Sequence, residues 1–595
     1  MIRILKYIIS IILCNYNLGN LENSLILNKE NWEYDSNLAI FYQSNITYCK
    51  NPNSHNILGI YVPKKYFLCS KMSSSKYSCS INLSGKTGNY TASNAPIVLP
   101  IYRDSSLGEI NLISYYYDKI RDFLSSGFIY IYIGFRNEYE WDSNISGAPW
   151  GVTDLKAAIR FIRYNSNFIP GDMDSIFSFG FGEGGAQSCL LGITGNSELY
   201  NDYLNYIGAA MFYNNGTKIS DAIKGSQCWC PITNLDTADM SYEWNIGQYF
   251  TTSPREPGFF GKRLSDDLTL KYSEYINNLG LKDDFGNILS LSTTNFGSYY
   301  DYLKSVIQTS LNNFLSDTTF PYTSTSNDRY DGWFEEWYGL SVTYETVLDY
   351  IDYLNSDETW IYYDSSTNSA TITNVESFVK KCKNPIGDIG RFDNIYKNTK
   401  ENRLFGVNSN GAHFDTYILN IFNDNYLIYY DYYYLYDISN YINDYRNDIY
   451  NVADNLGHSI EYRVNMYNPM YYISNFYSGY NSSQVASYFR INTGINQGET
   501  SNCVEMNLAL ALKNYGKNVE FTTVWDQGYT IAERIGSKNS TSAFISWVNR
   551  CMGIINKQNS TPNYTYNDNG DTISNNNYFS KIKKKFFLLF LFLLF

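Results

Sequence analysis

Ile176-Phe177-Ser178-Phe179-Gly180-Phe181-Gly182-Glu183-Gly184-Gly185 is the stretch from which the architecture can be read. Its apolar first half reads as a buried strand. The glycines after it allow a sharp turn, and the residues beyond read as a helix. Strand, tight turn and helix have the spacing of a nucleophile elbow, G-x-S-x-G. There the turn holds the central residue in a strained backbone and aims its side chain at substrate. The frame residues Gly180, Glu183, Gly184 and Gly185 are in place, but the central position is Gly182. A glycine has no side chain with which to attack.

Working outward, strands and helices alternate. Ile97–Ile101 is a short apolar run, residues 114–126 have helical spacing, Phe128–Gly134 reads as a strand and Val152–Tyr164 as a helix. This alternation predicts an α/β fold, a mostly parallel sheet with helices on both faces. Residues 240–400 break the rhythm with aromatic and helix-like segments such as Ser298–Phe314, the pattern of a large lid insertion. The rhythm resumes near Arg403–Val407. Ten tyrosines fall between Ile421 and Tyr450. Compositional bias explains them most simply; the sharper reading is an aromatic surface for carbohydrate or protein. No internal repeat is visible.

The chain has 595 residues, with 45 Lys and Arg against 58 Asp and Glu, a net charge of −13. That balance argues against nucleic acid as a partner. A hydrophobic share of 44% excludes global disorder. There are 60 tyrosines and only 3 histidines, His55, His413 and His458, so a His-rich metal site is not expected. No cofactor is expected.

Both ends carry targeting features. Arg3 and Lys6 precede the apolar run Tyr7–Leu13, the layout of a secretory signal over residues 1–19; a buried first strand is the competing reading. At the other end, Lys581-Ile582-Lys583-Lys584-Lys585 is followed by the apolar residues Phe586–Phe595. That run is too short for a bilayer of about 30 Å. With small residues and a polar spacer upstream, it has the layout of a GPI-attachment signal, and a tail-anchored end is the alternative. Membrane association through a lipid anchor or short tail, and a place in the secretory pathway at the cell surface or outside, follow as expectations. Sequons at Asn45, Asn82, Asn89, Asn144, Asn215, Asn481, Asn539, Asn559 and Asn563 agree with secretion, weakly in an Asn-rich chain. Cys14 lies in the signal, and an odd number of cysteines remains. Cys49, Cys69 and Cys79 are close enough in sequence for a local disulfide. Cys228-Trp229-Cys230 is too tight for a usual metal pair and reads as strand-borne.

Several segments together resemble a known family. They are Ala148–Asn165, Ile169-Pro170-Gly171-Asp172, Gly192–Ser197, Cys228–Asp236 with Asp239–Trp244, Glu401–Gly406, His413-Phe414 and Tyr467-Asn468-Pro469-Met470. In this order they are similar to the microbial carboxylesterase, subtype B tannase-like family of α/β-hydrolases, over residues 90 to 550. The resemblance implies an α/β-hydrolase fold with a lid, a serine esterase activity and the chain order Ser, acid, His. Carried over by position, the serine falls on Gly182, the acid on Glu499 in Gly498-Glu499-Thr500, and the histidine on Tyr529 in Trp525-Asp526-Gln527-Gly528-Tyr529. The family's glycine-rich oxyanion loop is replaced by Pro100–Ser106. His413 matches a family position outside the triad.

Serine attack needs a hydroxyl, a base and an acid to orient the base. Tyrosine, with a pKa near 10, is a poor base at neutral pH. Loss of the nucleophile alone costs about 10⁶ in kcat in a comparable triad enzyme. The expectation is therefore a secreted or surface-anchored pseudoenzyme that binds a small ester, a glycan or a protein. The alternative is a carboxylic ester hydrolase with non-standard catalytic residues. Glu183, one residue past the elbow, is expected to point away from the pocket mouth. The expected organisation is a signal peptide at 1–19, the core's first half at 20–239, the lid at 240–400 and the second half at 401–552. A polar stalk at 553–574 and the attachment signal at 575–595 follow.

Overall fold

The computed structural model describes residues 25–101, 117–136, 147–292, 295–324, 342–383, 388–407, 410–432, 438–536, 539–554, 564–566 and 572–574. The signal region, Asn144, Asn559, Asn563, the Lys-rich tail and the Tyr102–Ser106 part of the altered oxyanion loop lie outside them. The chain divides into two compact units, Met1–Ile545 and Ser546–Phe595. In the second, a short hairpin pairs Tyr564–Tyr566 with Thr572–Ser574.

The first unit is built on a nine-stranded sheet. Its strands are β1 (Glu33–Asp35), β2 (Ile40–Thr47), β3 (Ile57–Pro63), β4 (Ile97–Ile101), β5 (Ile129–Ile133), β6 (Ile176–Phe181), β7 (Gly225–Trp229), β8 (Tyr488–Gly494) and β9 (Asn518–Val524). The spatial order is β1-β2-β3-β5-β4-β6-β7-β8-β9. The β1–β3 end is antiparallel, and every pairing from β5 to β9 is parallel. Every residue of β4, β5 and β7 is buried. That is why β4 and β5 are unbroken apolar runs rather than alternating ones: a parallel sheet is covered on both faces.

Helices cross between the strands: α1 (Tyr117–Ser125) from β4 to β5, α2 (Trp150–Tyr164) from β5 to β6, and α3 (Glu183–Ile193) from β6 to β7. The chain steps from β4 to β5 on one side and then to β6 on the other. The carboxyl ends of β4 and β6 thus form a switch point, where open α/β sheets bind ligands. The elbow leaves β6 at that point. Helix α2 is buried on all sides; its Asp154 pairs with Arg136 at 2.6 Å, its Lys156 and Arg160 pair with Asp221 at 2.9 and 2.6 Å, and its Arg163 donates to the carbonyls of Met173, Ser220 and Ala222.

Beyond β7 come α4 (Leu235–Asn245) and two 20-residue helices, α5 (Phe260–Leu279) and α6 (Ser298–Asp317). Small hairpins pair Tyr322–Ser324 with Val342–Tyr344 and Ile361–Asp364 with Ser369–Ile372. The expected return of strands near Arg403 does not occur. That segment is the helix Lys400–Phe405, begun by a Thr399 capping box. Helices α7 (Thr416–Asp424) and α8 (Ile438–Asn451) follow, and the central sheet resumes only at Tyr488. The tyrosine-rich run is divided in role: Tyr429 and Tyr445 are fully buried, whereas Tyr426 and Tyr450 are exposed. His458 stacks on Tyr462 at 4.3 Å, in the loop before the helix Ile460–Tyr467.

Cys69 and Cys79 face each other on a two-stranded ribbon and form a disulfide, leaving the buried Cys49 outside it. Cys228 is on β7 and Cys230 just beyond its end. Among the described residues no helix is long and apolar enough to cross a membrane, and no group of His, Cys, Asp and Glu is placed to hold a metal ion.

Candidate active site

Gly182 sits between β6 and α3 with φ +58° and ψ −117°. A side-chain-bearing residue adopts that conformation only under strain, of order 1–3 kcal/mol. The elbow is therefore kept in shape. Its amide donates to Trp229 O at 2.9 Å, and Ala186 N donates to Gly182 O at 2.9 Å. Gly184 lets the helix approach β4: a Cβ there would lie 2.2 Å from Ile101 O. Gly180 is the last but one residue of β6, and Gly185 lies in the first turn of α3.

Tyr529 comes from the loop after β9 and faces this turn. A Cβ on Gly182 would stand 1.9 Å from the Tyr529 hydroxyl oxygen and 2.9 Å from the ring carbon that carries it. The phenol thus occupies the room that a nucleophilic side chain would need. Its ring packs against Phe181 at 4.6 Å between centroids. Burial pushes the hydroxyl well above its usual range, and the nearby Glu183, Cys230, Glu499 and Glu401 push it the same way. At neutral pH it holds its proton and cannot serve as a base.

Glu499 lies close enough to act on Tyr529, but its hydrogen-bond partner is elsewhere: Arg391 Nη2 donates to Glu499 Oε2 at 2.6 Å. A triad acid orients its base by hydrogen bonding to it; here Glu499 is held by an arginine, Arg391, instead. Arg391 was not legible in the sequence, because it stands outside every motif. Glu401 was legible only as part of a family segment. It is buried beside the same arginine, and burial raises its carboxyl to about 7, with Arg391 opposing and Glu183 and Glu499 adding to the rise. Glu183 adds its charge to this carboxylate group. It is the first residue of α3, and its charge reaches both Tyr529 and Glu401.

None of the placed histidines supplies a base at the elbow. His413 is fully buried, with Nδ1 2.7 Å from Asp393 Oδ1 and its ring stacked on Tyr445 at 3.5 Å. It belongs to a polar knot in which Asp239 accepts from Phe392 N and Asp393 N, and Asp393 accepts from Phe414 N and Asp415 N. That knot fixes the segment carrying Arg391.

The raised Glu401 carboxyl has a pH consequence. The unfolded group ionises from about pH 4.3, while the folded one holds its proton to about 7. Over that window the folded state binds more protons, so stability falls as pH rises. Glu401→Gln should remove the effect, making the variant more stable than the parent at pH 8 by on the order of 3 kcal/mol and equal to it near pH 4. Urea denaturation at the two pH values measures this; an equal difference at both would refute the assignment.

The BD-FAE family, an α/β-hydrolase family, matches residues 90–253. Among solved structures, the native tannin acyl hydrolase of Lactobacillus plantarum superposes with a TM-score of 0.63 at 21% identity, covering 89% of this chain and 99% of that one. The Fusobacterium nucleatum tannase gives a TM-score of 0.60 at 25% identity, over 86% of this chain and 95% of that one. The fold is that of a tannase-like α/β-hydrolase. A tannin acyl hydrolase in complex with ethyl gallate matches at 22% identity with a TM-score of 0.61, over 89% of this chain and 99% of that one. No curated protein matches. In this tannase-like fold the positions that the resemblance assigns to nucleophile and base, Gly182 and Tyr529, are brought into contact. The acid position, Glu499, is nearby but committed to Arg391.

Proposed function

We propose that this tannase-like protein is a catalytically silent member of its fold that acts by binding. One observation carries the reading: the Tyr529 hydroxyl fills the space of the missing nucleophilic side chain, 1.9 Å from where its Cβ would be. An ester carbonyl finds there neither an attacking group nor room for one. The ligand is sought among small esters, glycans and proteins, reached from the lid side; a net charge of −13 does not suit nucleic acid.

We further propose that the protein enters the secretory pathway and is held at the cell surface by a C-terminal lipid anchor or short tail. The charged and apolar termini and the Cys69–Cys79 disulfide support this. The sequon residues Asn45, Asn89, Asn215, Asn481 and Asn539 are exposed and Asn82 is half-buried, which suits glycan attachment.

The second reading, an ester hydrolase with non-standard residues, is favoured by Glu401, whose carboxyl titrates at about 7 and has the pKa of a general acid or base. An assay with short-chain p-nitrophenyl esters separates the two. The pseudoenzyme reading expects turnover equal to buffer. Turnover above buffer that disappears in Glu499→Ala, Glu401→Gln or Tyr529→Phe would overturn it.

A further inference from the structure

A pair of cysteines lies directly beneath the elbow. Cys189 is on α3, six residues past Glu183, and Cys228 is on β7. Both are fully buried. Their sulfurs are 2.8 Å apart. Non-bonded carbon atoms rest at about 3.5–4 Å and the larger sulfur no closer, while a disulfide measures about 2.05 Å. The two thiols are therefore already inside contact distance, and small side-chain adjustments would bring them to bonding distance. The other cysteines placed nearby are engaged differently: Cys230 accepts from Gly494 N at 3.5 Å and donates to Thr530 O at 3.2 Å.

The chain carries an independent sign of oxidising conditions in the Cys69–Cys79 bond. Disulfides form and persist in secretory and extracellular compartments and are rare where thiols are kept reduced. Around the buried pair lies a fixed polar chain. The Ser188 and Ser226 hydroxyls are 2.8 Å apart, Ser178 is 2.9 Å from Ser188, and Ser226 Oγ is 3.3 Å from Cys228 Sγ. This chain holds α3 and β7 in one register, so the two sulfurs meet in a defined geometry.

We propose that Cys189 and Cys228 are a site of oxidative modification and form a second, buried disulfide that pins the elbow helix to the neighbouring strand. The reaction is thiol–disulfide exchange. One cysteine thiolate attacks a disulfide oxidant and releases one of its sulfurs as a thiol. The second cysteine then displaces the other half. The protein loses two electrons and two protons, one new S–S bond forms, and the oxidant's S–S bond becomes two thiols. Complete burial keeps an external oxidant out of the closed site, so the first exchange takes place during folding and the second cysteine closes the bond as α3 docks on β7. The bond closes a loop of 39 residues by sequence separation, which restricts the unfolded chain and favours the folded one. It fixes the base of α3 without touching Gly182 or Tyr529, and it does not depend on whether the site is silent.

Peptide mapping of the full chain tests this. The protein is folded in a glutathione disulfide buffer, denatured without reductant, alkylated and digested. The expected result is two linked peptide pairs, Cys69 with Cys79 and Cys189 with Cys228. Each should be two hydrogens lighter than the sum of its free peptides and should separate on reduction. Alkylated Cys189 and Cys228 beside an intact Cys69–Cys79 link would overturn the proposal. So would an open Cys69–Cys79 pair, since the premise of an oxidised chain then fails. In Cys189→Ser the second link should vanish and the melting temperature drop. That drop should shrink when both proteins are melted in excess reductant. An equal drop with and without reductant would assign Cys189 a packing role only.

Discussion

Gly182→Ser alone should destabilise the protein by about 2–4 kcal/mol and produce no ester hydrolysis. Two costs combine. A side chain at φ +58° and ψ −117° carries backbone strain. Its Cβ also falls 1.9 Å from the Tyr529 hydroxyl, so the phenol must move from its seat against Phe181. Tyr529→Ala removes the second cost. The double variant should therefore be more stable than the sum of the single effects by about 1–3 kcal/mol, the coupling expected of residues in direct contact. Urea unfolding of the four proteins measures this, and strictly additive effects would show that the two positions are not compensating partners. A chemical readout follows from the same geometry. Gly182→Ser with Tyr529→His places a hydroxyl and an imidazole where they now exclude each other. Hydrolysis of p-nitrophenyl acetate should rise at least about 100-fold above either single variant, the lower range of a positioned general base. Adding Arg391→Met, which frees Glu499 from its ion pair, should raise it further.

Asp221→Ala should be the most damaging single change away from the site, costing about 3–5 kcal/mol. Asp221 is fully buried. It accepts from Lys156 Nζ at 2.9 Å, from Arg160 Nε and Nη2 at 2.8 and 2.6 Å and from the Asn196 amide at 2.8 Å. Lys156 and Arg160 are buried on α2. Removing the carboxylate leaves two cations out of water without their counter-charge. Burial by itself would raise the Asp221 carboxyl, but the two cations overcome it and hold it below the usual carboxylate range. A depressed folded pKa contributes stability above the unfolded value of about 3.9 and loses it as pH falls through the folded value. The parent protein should therefore lose stability below about pH 4, and Asp221→Ala should show a shallower acid limb. A loss under 1 kcal/mol at pH 7 would mean that water reaches the pair.

Much of the core could be read from local pattern because its strands are buried on both faces and its helices are long enough to show their period. β4, β5, β6 and the helix over 150–164 lie where the spacing places them, within two residues at each end. At Arg403–Val407 a short apolar run suggests that the sheet resumes, and the structure places a helix over Lys400–Phe405. Thr399 and Asn402 form a capping box there, and the run is a helix. Short apolar runs do not distinguish strand from helix, and the cap is the better local signal. The antiparallel β1–β3 extension carried no sequence expectation.

Gly182 and Tyr529 stand out in the sequence because the glycine frame and the Trp-x-Gln-Gly pattern around them are local. Residue identity puts a glycine and a tyrosine, Gly182 and Tyr529, where the resemblance expects Ser and His. It was not enough to show that the two replacements fill one space. That is a contact between residues 347 positions apart in the chain, and no local pattern encodes the distance between a phenol oxygen and an absent Cβ. The same holds for Arg391, which takes Glu499 as its partner, and for Glu401, whose pKa is set by burial and by charges from distant segments. Composition, period and motif describe what each stretch of chain can do alone. Which carboxylate meets which cation, and which side chain fills which cavity, is decided when the β6 turn, the loop after β9 and the segment 388–402 close on one another and exclude water.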